Sequence, residues 1–126
     1  MLSFALFDDE QRAWLGEMAG YPSVWAGFES SLRHTSGASN EDDLLDLVRA
    51  MHLSHSDAPR TALHTVAEQL MDHDERLAMW RHQHVLVAGR QVGRRPGAGG
   101  SEGMAYLDTT LSQRLYPVLW EVRSVL

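Results

Sequence analysis

"TALHTVAEQLMDHDERLAMWRHQHVLVAGRQVG", residues 61–93, contains no proline and repeats apolar side chains at helical spacing from end to end. Read from Pro59, it predicts one helix of more than 30 residues, about 50 Å long at 1.5 Å per residue. A compact chain of this size has an expected radius of gyration of only about 14 Å. Such a helix must therefore bend, most simply near 72–75, or have its overhang covered by a partner subunit.

The remaining segments are also helical in pattern. Asp8, Asp9 and Glu10 place carboxylates at a helix N-terminus, and Trp14, Leu15 and Met18 follow as a stripe expected to be buried. Pro22 suits the first turn of a second helix, with Val24, Trp25, Phe28 and Leu32 on one side. Residues 34–40 (HTSGASN) read as a loop, and Asn40 is the expected cap of a third helix over 41–53. Beyond a glycine-rich stretch, MAYLDTTL and RLYPVLWEVRSVL predict two short helices, the second beginning at Pro117. The expected class is all-α, a single domain over residues 1–126 in the form of a compact helical bundle with one long helix.

Bulk properties exclude several functions. A net charge of −6 gives no basic surface with which to neutralise phosphates, so no nucleic-acid partner is expected. With no cysteine, thiolate nucleophiles and cysteine metal sites are ruled out. No run of 18 apolar residues occurs, and MLSFALFDDE lacks a basic leader, so the expectation is a cytoplasmic protein with no membrane partner and a small-molecule ligand.

There are seven histidines. Residues two apart on a helix point about 200° apart, so His82 and His84 cannot serve one pocket. His84 shares its face with Leu77, Trp80, Val87 and Ala88, an apolar wall with one imidazole in it. That pattern fits a core histidine with a satisfied hydrogen bond, or an axial ligand for a flat apolar macrocycle such as heme. A zinc site is less favoured there, because no HExxH pair is present. The stretch 93–103 (GRRPGAGGSEG) is dense enough in glycine to bring backbone amides close to a ligand, though a surface loop has the same composition. It has no phosphate-loop lysine and follows no strand.

The order Trp80-Arg81, His84, Gly93, the glycines at 97, 99, 100 and 103 with Ser101, Tyr106-Leu107 and the closing Leu119-Trp120 and Arg123 resembles the C-terminal part of the tryptophan 2,3-dioxygenase superfamily. The resemblance covers about 105 residues, from near Pro22 to the end. It implies that His84 is the proximal axial ligand, and so the metal ligand, of heme b, with Trp80, Arg81 and Ala88 against the cofactor. Gly97, Ala98, Gly99, Gly100 and Ser101 would contact the amino-acid end of a tryptophan-like substrate. The implied chemistry is insertion of oxygen from O2 into an indole ring. Related members insert a single atom, which requires an external reductant.

Two departures shape the expectation. No stretch of these residues resembles the family's N-terminal half, which holds a distal histidine and an arginine for the substrate carboxylate. Ala98 also stands where the family has a threonine, so the expected substrate is a modified tryptophan, taken by a tailoring enzyme of natural-product biosynthesis. A second subunit is expected to close the pocket, most simply in a homodimer. His52 and His55, with His64, then become candidates for the distal catalytic base or for a second axial ligand. Arg33, Arg94 and Arg95 are candidates for the substrate carboxylate, and Trp14, Trp25 and Phe28 for an aromatic pocket. His73, between two aspartates, is expected at the surface. The alternative function is a non-catalytic heme-binding module, or a subunit that needs a different partner chain.

Overall fold

The computed structural model describes residues 7–54, 56–93 and 104–126, and among them every regular element is helical. In chain order these are α1 (Asp9–Ala19), α2 (Val24–Ser36), α3 (Leu44–Leu53), α4 (Ala58–Val92), α5 (Met104–Thr110) and α6 (Pro117–Glu121), which leads into a 3-10 turn at Val122–Ser124. The all-α expectation holds.

Four helix starts are fixed by side-chain caps. Asp8 and Gln11 form a reciprocal capping box on α1, and Ser23, Asp43 and Asp57 accept from the amides of Ala26, Asp46 and Arg60. Pro22 therefore lies just before the cap of α2 rather than inside its first turn. The third helix is capped by Asp43, not Asn40. The cause is Arg33, whose guanidinium donates to the carbonyls of Ser39 (2.7 Å) and Asp42 (2.8 Å) while Asp42 accepts from the Ser39 amide. This turn uses up residues 39–42 before the helix can begin. The helix α2 also runs three residues into the expected loop, through His34 to Ser36, and stops where Gly37 takes a left-handed φ of 65°.

The core lies between α2, α3, the first half of α4 and the α6 segment. Phe28, Leu32, Val48, Met51, Leu63, Ala67, Leu70, Tyr116, Leu119 and Val122 form it, with Trp25 packed against its edge. Trp25 stacks obliquely on Phe28 and Tyr116, with centroids 5.3 and 5.6 Å away, so these aromatics build the core and not a ligand pocket. The α1 stripe departs from expectation: α1 buries no residue, and Trp14 and Met18 are exposed because none of the described elements covers that face.

The helix α4 is 35 residues long and is not interrupted at 72–75. Its buried residues, Leu63, Ala67, Leu70 and Asp74, all lie in the first half. Beyond Asp74 the helix buries no residue, and Arg81 ties it to the end of α5. None of the described helices is long and apolar enough to cross a membrane.

Candidate functional site

The second half of α4 carries the residues expected to matter. His84 is exposed, and the Trp80 ring lies parallel to its imidazole at 6°, with centroids 5.1 Å apart. One helical turn separates the two residues, so the backbone itself aligns them. Stacking covers a face of the imidazole but leaves its in-plane nitrogen lone pair free to coordinate. Around them Leu77 and Ala88 are half-buried, and Trp80 and Val87 keep more than half of their surface exposed, at 57% and 52%. Met79 and Leu86 are also exposed, on the side of His82. One turn beyond His84, Val87, Arg90 and Gln91 line a cavity of 260 Å³. An exposed imidazole on an open apolar wall is the donor set and surface that a flat, largely apolar metal macrocycle requires.

Two clamps set the position of this wall relative to the C-terminal segment. Arg81 donates to the carbonyls of Thr110 (3.4 Å) and Gln113 (2.9 Å), tying the end of α5 to α4 one turn before His84. The glycine-rich stretch, including Gly97, Ala98, Gly99, Gly100 and Ser101, lies outside the described residues, as do Arg94 and Arg95. It connects α4 to α5, and α5 packs on α4.

The second clamp was missed in the sequence. Asp74 is fully buried and accepts from the amides of Leu115 (3.0 Å) and Tyr116 (3.0 Å) and from the Trp120 indole N–H (3.0 Å). Burial opposes its charge, but these three donors and the nearby Arg114 guanidinium prevail and hold the carboxyl below its ordinary value of 3.8. Next to it, His73 is exposed, and its Nδ1 lies 3.2 Å from the Tyr116 hydroxyl.

Of the other candidates, His52, His64 and Arg33 are not brought to His84. His55 lies outside the described residues. The His52 ring sits 5.0 Å from that of His64, at the far end of α4. The twenty residues between His64 and His84 correspond to about 30 Å along the helix axis. His52 therefore cannot meet a ligand on His84 within one chain. Arg33 is held at the α2–α3 turn, where four of its five N–H donors go to Ser39, Asp42 and Glu29.

Comparison with known proteins places these features in context. Residues 23–126 match the family model described as tryptophan 2,3-dioxygenase. Proteins named tryptophan 2,3-dioxygenase are similar in sequence. The one from Caulobacter vibrioides is 48% identical over 64 residues, covering 51% of this chain and 24% of its own. That from a Nocardioides species is 34% identical over 117 residues, covering 92% of this chain and 43% of its own. The chain thus spans less than half the length of these relatives. No solved structure matches it.

Proposed function

Because the chain belongs to the tryptophan 2,3-dioxygenase family, matching it over residues 23–126, we propose that it is part of a heme-dependent oxygenase that inserts oxygen from O2 into the indole ring of tryptophan or a tryptophan derivative. The observation that carries this reading is the exposed His84 imidazole, stacked on Trp80 beside apolar side chains that keep more than half of their surface exposed although α5 packs on the same helix. His84 would hold the iron of heme b, with Trp80 and Ala88 against the macrocycle. When bound, ferrous heme supplies the activation of O2.

What the chain's own residues do follows from their contacts. Trp80 limits rotation of the His84 ring and so fixes the direction of its lone pair. Arg81 acts as a strap: by holding Thr110 and Gln113 it anchors the helix that follows the 97–103 loop against the half of α4 that bears His84. That anchoring favours a loop at the heme edge, where backbone amides at Gly97, Gly99 and Gly100 and the Ser101 hydroxyl can bind the amino-acid end of a substrate. Ala98 offers no hydroxyl there, which favours a modified tryptophan and a tailoring role in natural-product biosynthesis.

The pocket needs a second wall. The exposed apolar side chains beside His84 and the distance of about 30 Å between His52 and His84 both favour closure by another subunit, in a homodimer or larger homo-oligomer. A distal base such as His55 would then come from the neighbouring chain.

The test is the absorption spectrum of the full chain with hemin, oxidised and dithionite-reduced, for wild type and His84→Ala. A Soret band that indole substrates shift and that His84→Ala abolishes is the expected result. Equal, poor heme uptake by both proteins would remove the oxygenase reading. Counting labelled atoms from ¹⁸O2 in the product separates monooxygenation, which consumes an external reductant, from dioxygenation.

A further inference from the structure

At the opposite end of α4 from His84, three metal-binding side chains converge from two helices. His52 lies in the last turn of α3, and His64 and Glu68 are one turn apart on α4. One ligand atom from each lies within 4.8 Å of the others. We propose that His52, His64 and Glu68 form a second metal site, for a first-row divalent transition ion of the zinc type, separate from the proposed heme position. Two imidazoles and one carboxylate suit zinc, cobalt or nickel, whereas magnesium and calcium require oxygen ligands.

Geometry supports the assignment. Donor atoms around a tetrahedral zinc, with bonds of about 2.0–2.2 Å, are roughly 3.4 Å apart. His64 and Glu68 are both partly exposed, at 28% and 44%, which leaves their side chains room to rotate toward that value. The same exposure lets water complete the coordination shell. The i and i+4 spacing keeps His64 and Glu68 on one face of a rigid helix, with the His64 Nε2 already 3.9 Å from Glu68 Oε1. His52 lies 12 residues before His64 and on a different helix, so the ion would cross-link α3 to α4.

One neighbouring group opposes a cation. Arg123, in the 3-10 turn after α6, pairs with Glu68 Oε1. A metal ion must share that carboxylate or draw it off the guanidinium. Arg123 is thus a built-in competitor, and metal binding at this site is linked to the contact that holds the C-terminal turn on α4.

The experiment is a calorimetric titration of the tag-free, heme-free full chain with Zn²⁺, repeated with Co²⁺ and read by visible absorption. About one ion per chain is expected, with the absorption of a low-symmetry Co²⁺ complex. His52→Ala and Glu68→Gln should each weaken Zn²⁺ binding by at least about tenfold, and Arg123→Gln should tighten it. His82→Ala and His84→Ala should leave it unchanged. His64→Gln serves if His52→Ala does not fold, with folding checked by circular dichroism in the absence of metal. Binding that survives all three ligand substitutions, or no saturable uptake, overturns the proposal; heme binding through His84 stands or falls independently.

Discussion

The two halves of α4 share one helix and one backbone geometry, yet they solve different problems. Residues 58–74 bury Leu63, Ala67, Leu70 and Asp74 against α2, α3 and the α6 segment. Residues 75–92 bury nothing, and Met79, Trp80, Leu86, Val87 and Val92 each keep half or more of their surface exposed. Burial of an apolar side chain contributes about 1.5–3 kcal/mol to stability, and exposed apolar side chains grouped like Trp80 and Val87 beside His84 suit a ligand or another chain. The first half holds the fold together. The second half carries α5 through the Arg81 clamp and otherwise leaves Trp80 and Val87 open to solvent beside His84.

The sharpest way to break that division is at Asp74, where the halves meet. Replacing it with alanine leaves two backbone amides and an indole N–H buried without an acceptor, a loss expected to cost about 3–5 kcal/mol, measured as a lower urea midpoint. The pH dependence has a definite sign. The folded carboxyl titrates below its ordinary value of 3.8, so its contribution is complete above that value and disappears as pH falls through the lower folded value. Wild type should lose stability below about pH 4, and Asp74→Asn should flatten this acid limb. An unchanged acid limb in Asp74→Asn would show that the clamp carries no charge in the folded state.

The next effect compares the halves directly. Leu70→Ala removes a core side chain that is only 7% exposed and should cost about 2–5 kcal/mol. Leu86→Ala, at 69% exposure, should change the stability of the heme-free chain by no more than about 0.5 kcal/mol. Equal losses in dilute monomeric protein would show that the second half packs against the rest of its own chain rather than facing solvent.

How far the sequence reveals this division depends on what each residue needs. The long helix, its class and the start of α6 at Pro117 rest on local periodicity and capping, which neighbouring residues set by themselves. Trp80 and His84 are legible for the same reason, since one helical turn fixes their relation. Asp74 is not, because "DHDE" reads as a solvated acidic turn and its donors lie more than 40 residues away. Trp14 and Met18 mislead in the opposite direction. An amphipathic stripe shows that a face could be buried, but only tertiary structure shows whether anything covers it. Likewise the shift of the α3 cap from Asn40 to Asp43 depends on Arg33 reaching across a turn.

The smallest effect is the most specific to the wall. The Trp80 ring stacks on His84 while remaining largely exposed, so its removal should leave the fold nearly untouched but release the imidazole to rotate. A ring contact of this kind contributes about 0.5–1.5 kcal/mol, so Trp80→Ala should weaken hemin binding by roughly two- to tenfold while the urea midpoint of the heme-free chain stays at the wild-type value. Trp80→Phe, which keeps an aromatic face, should recover much of the affinity. If Trp80→Ala instead lowers the urea midpoint as far as Leu70→Ala does, the wall belongs to a packed interior and the contrast between the halves fails. A loss of hemin affinity with the fold intact would mean that the tryptophan serves the cofactor site and not the fold.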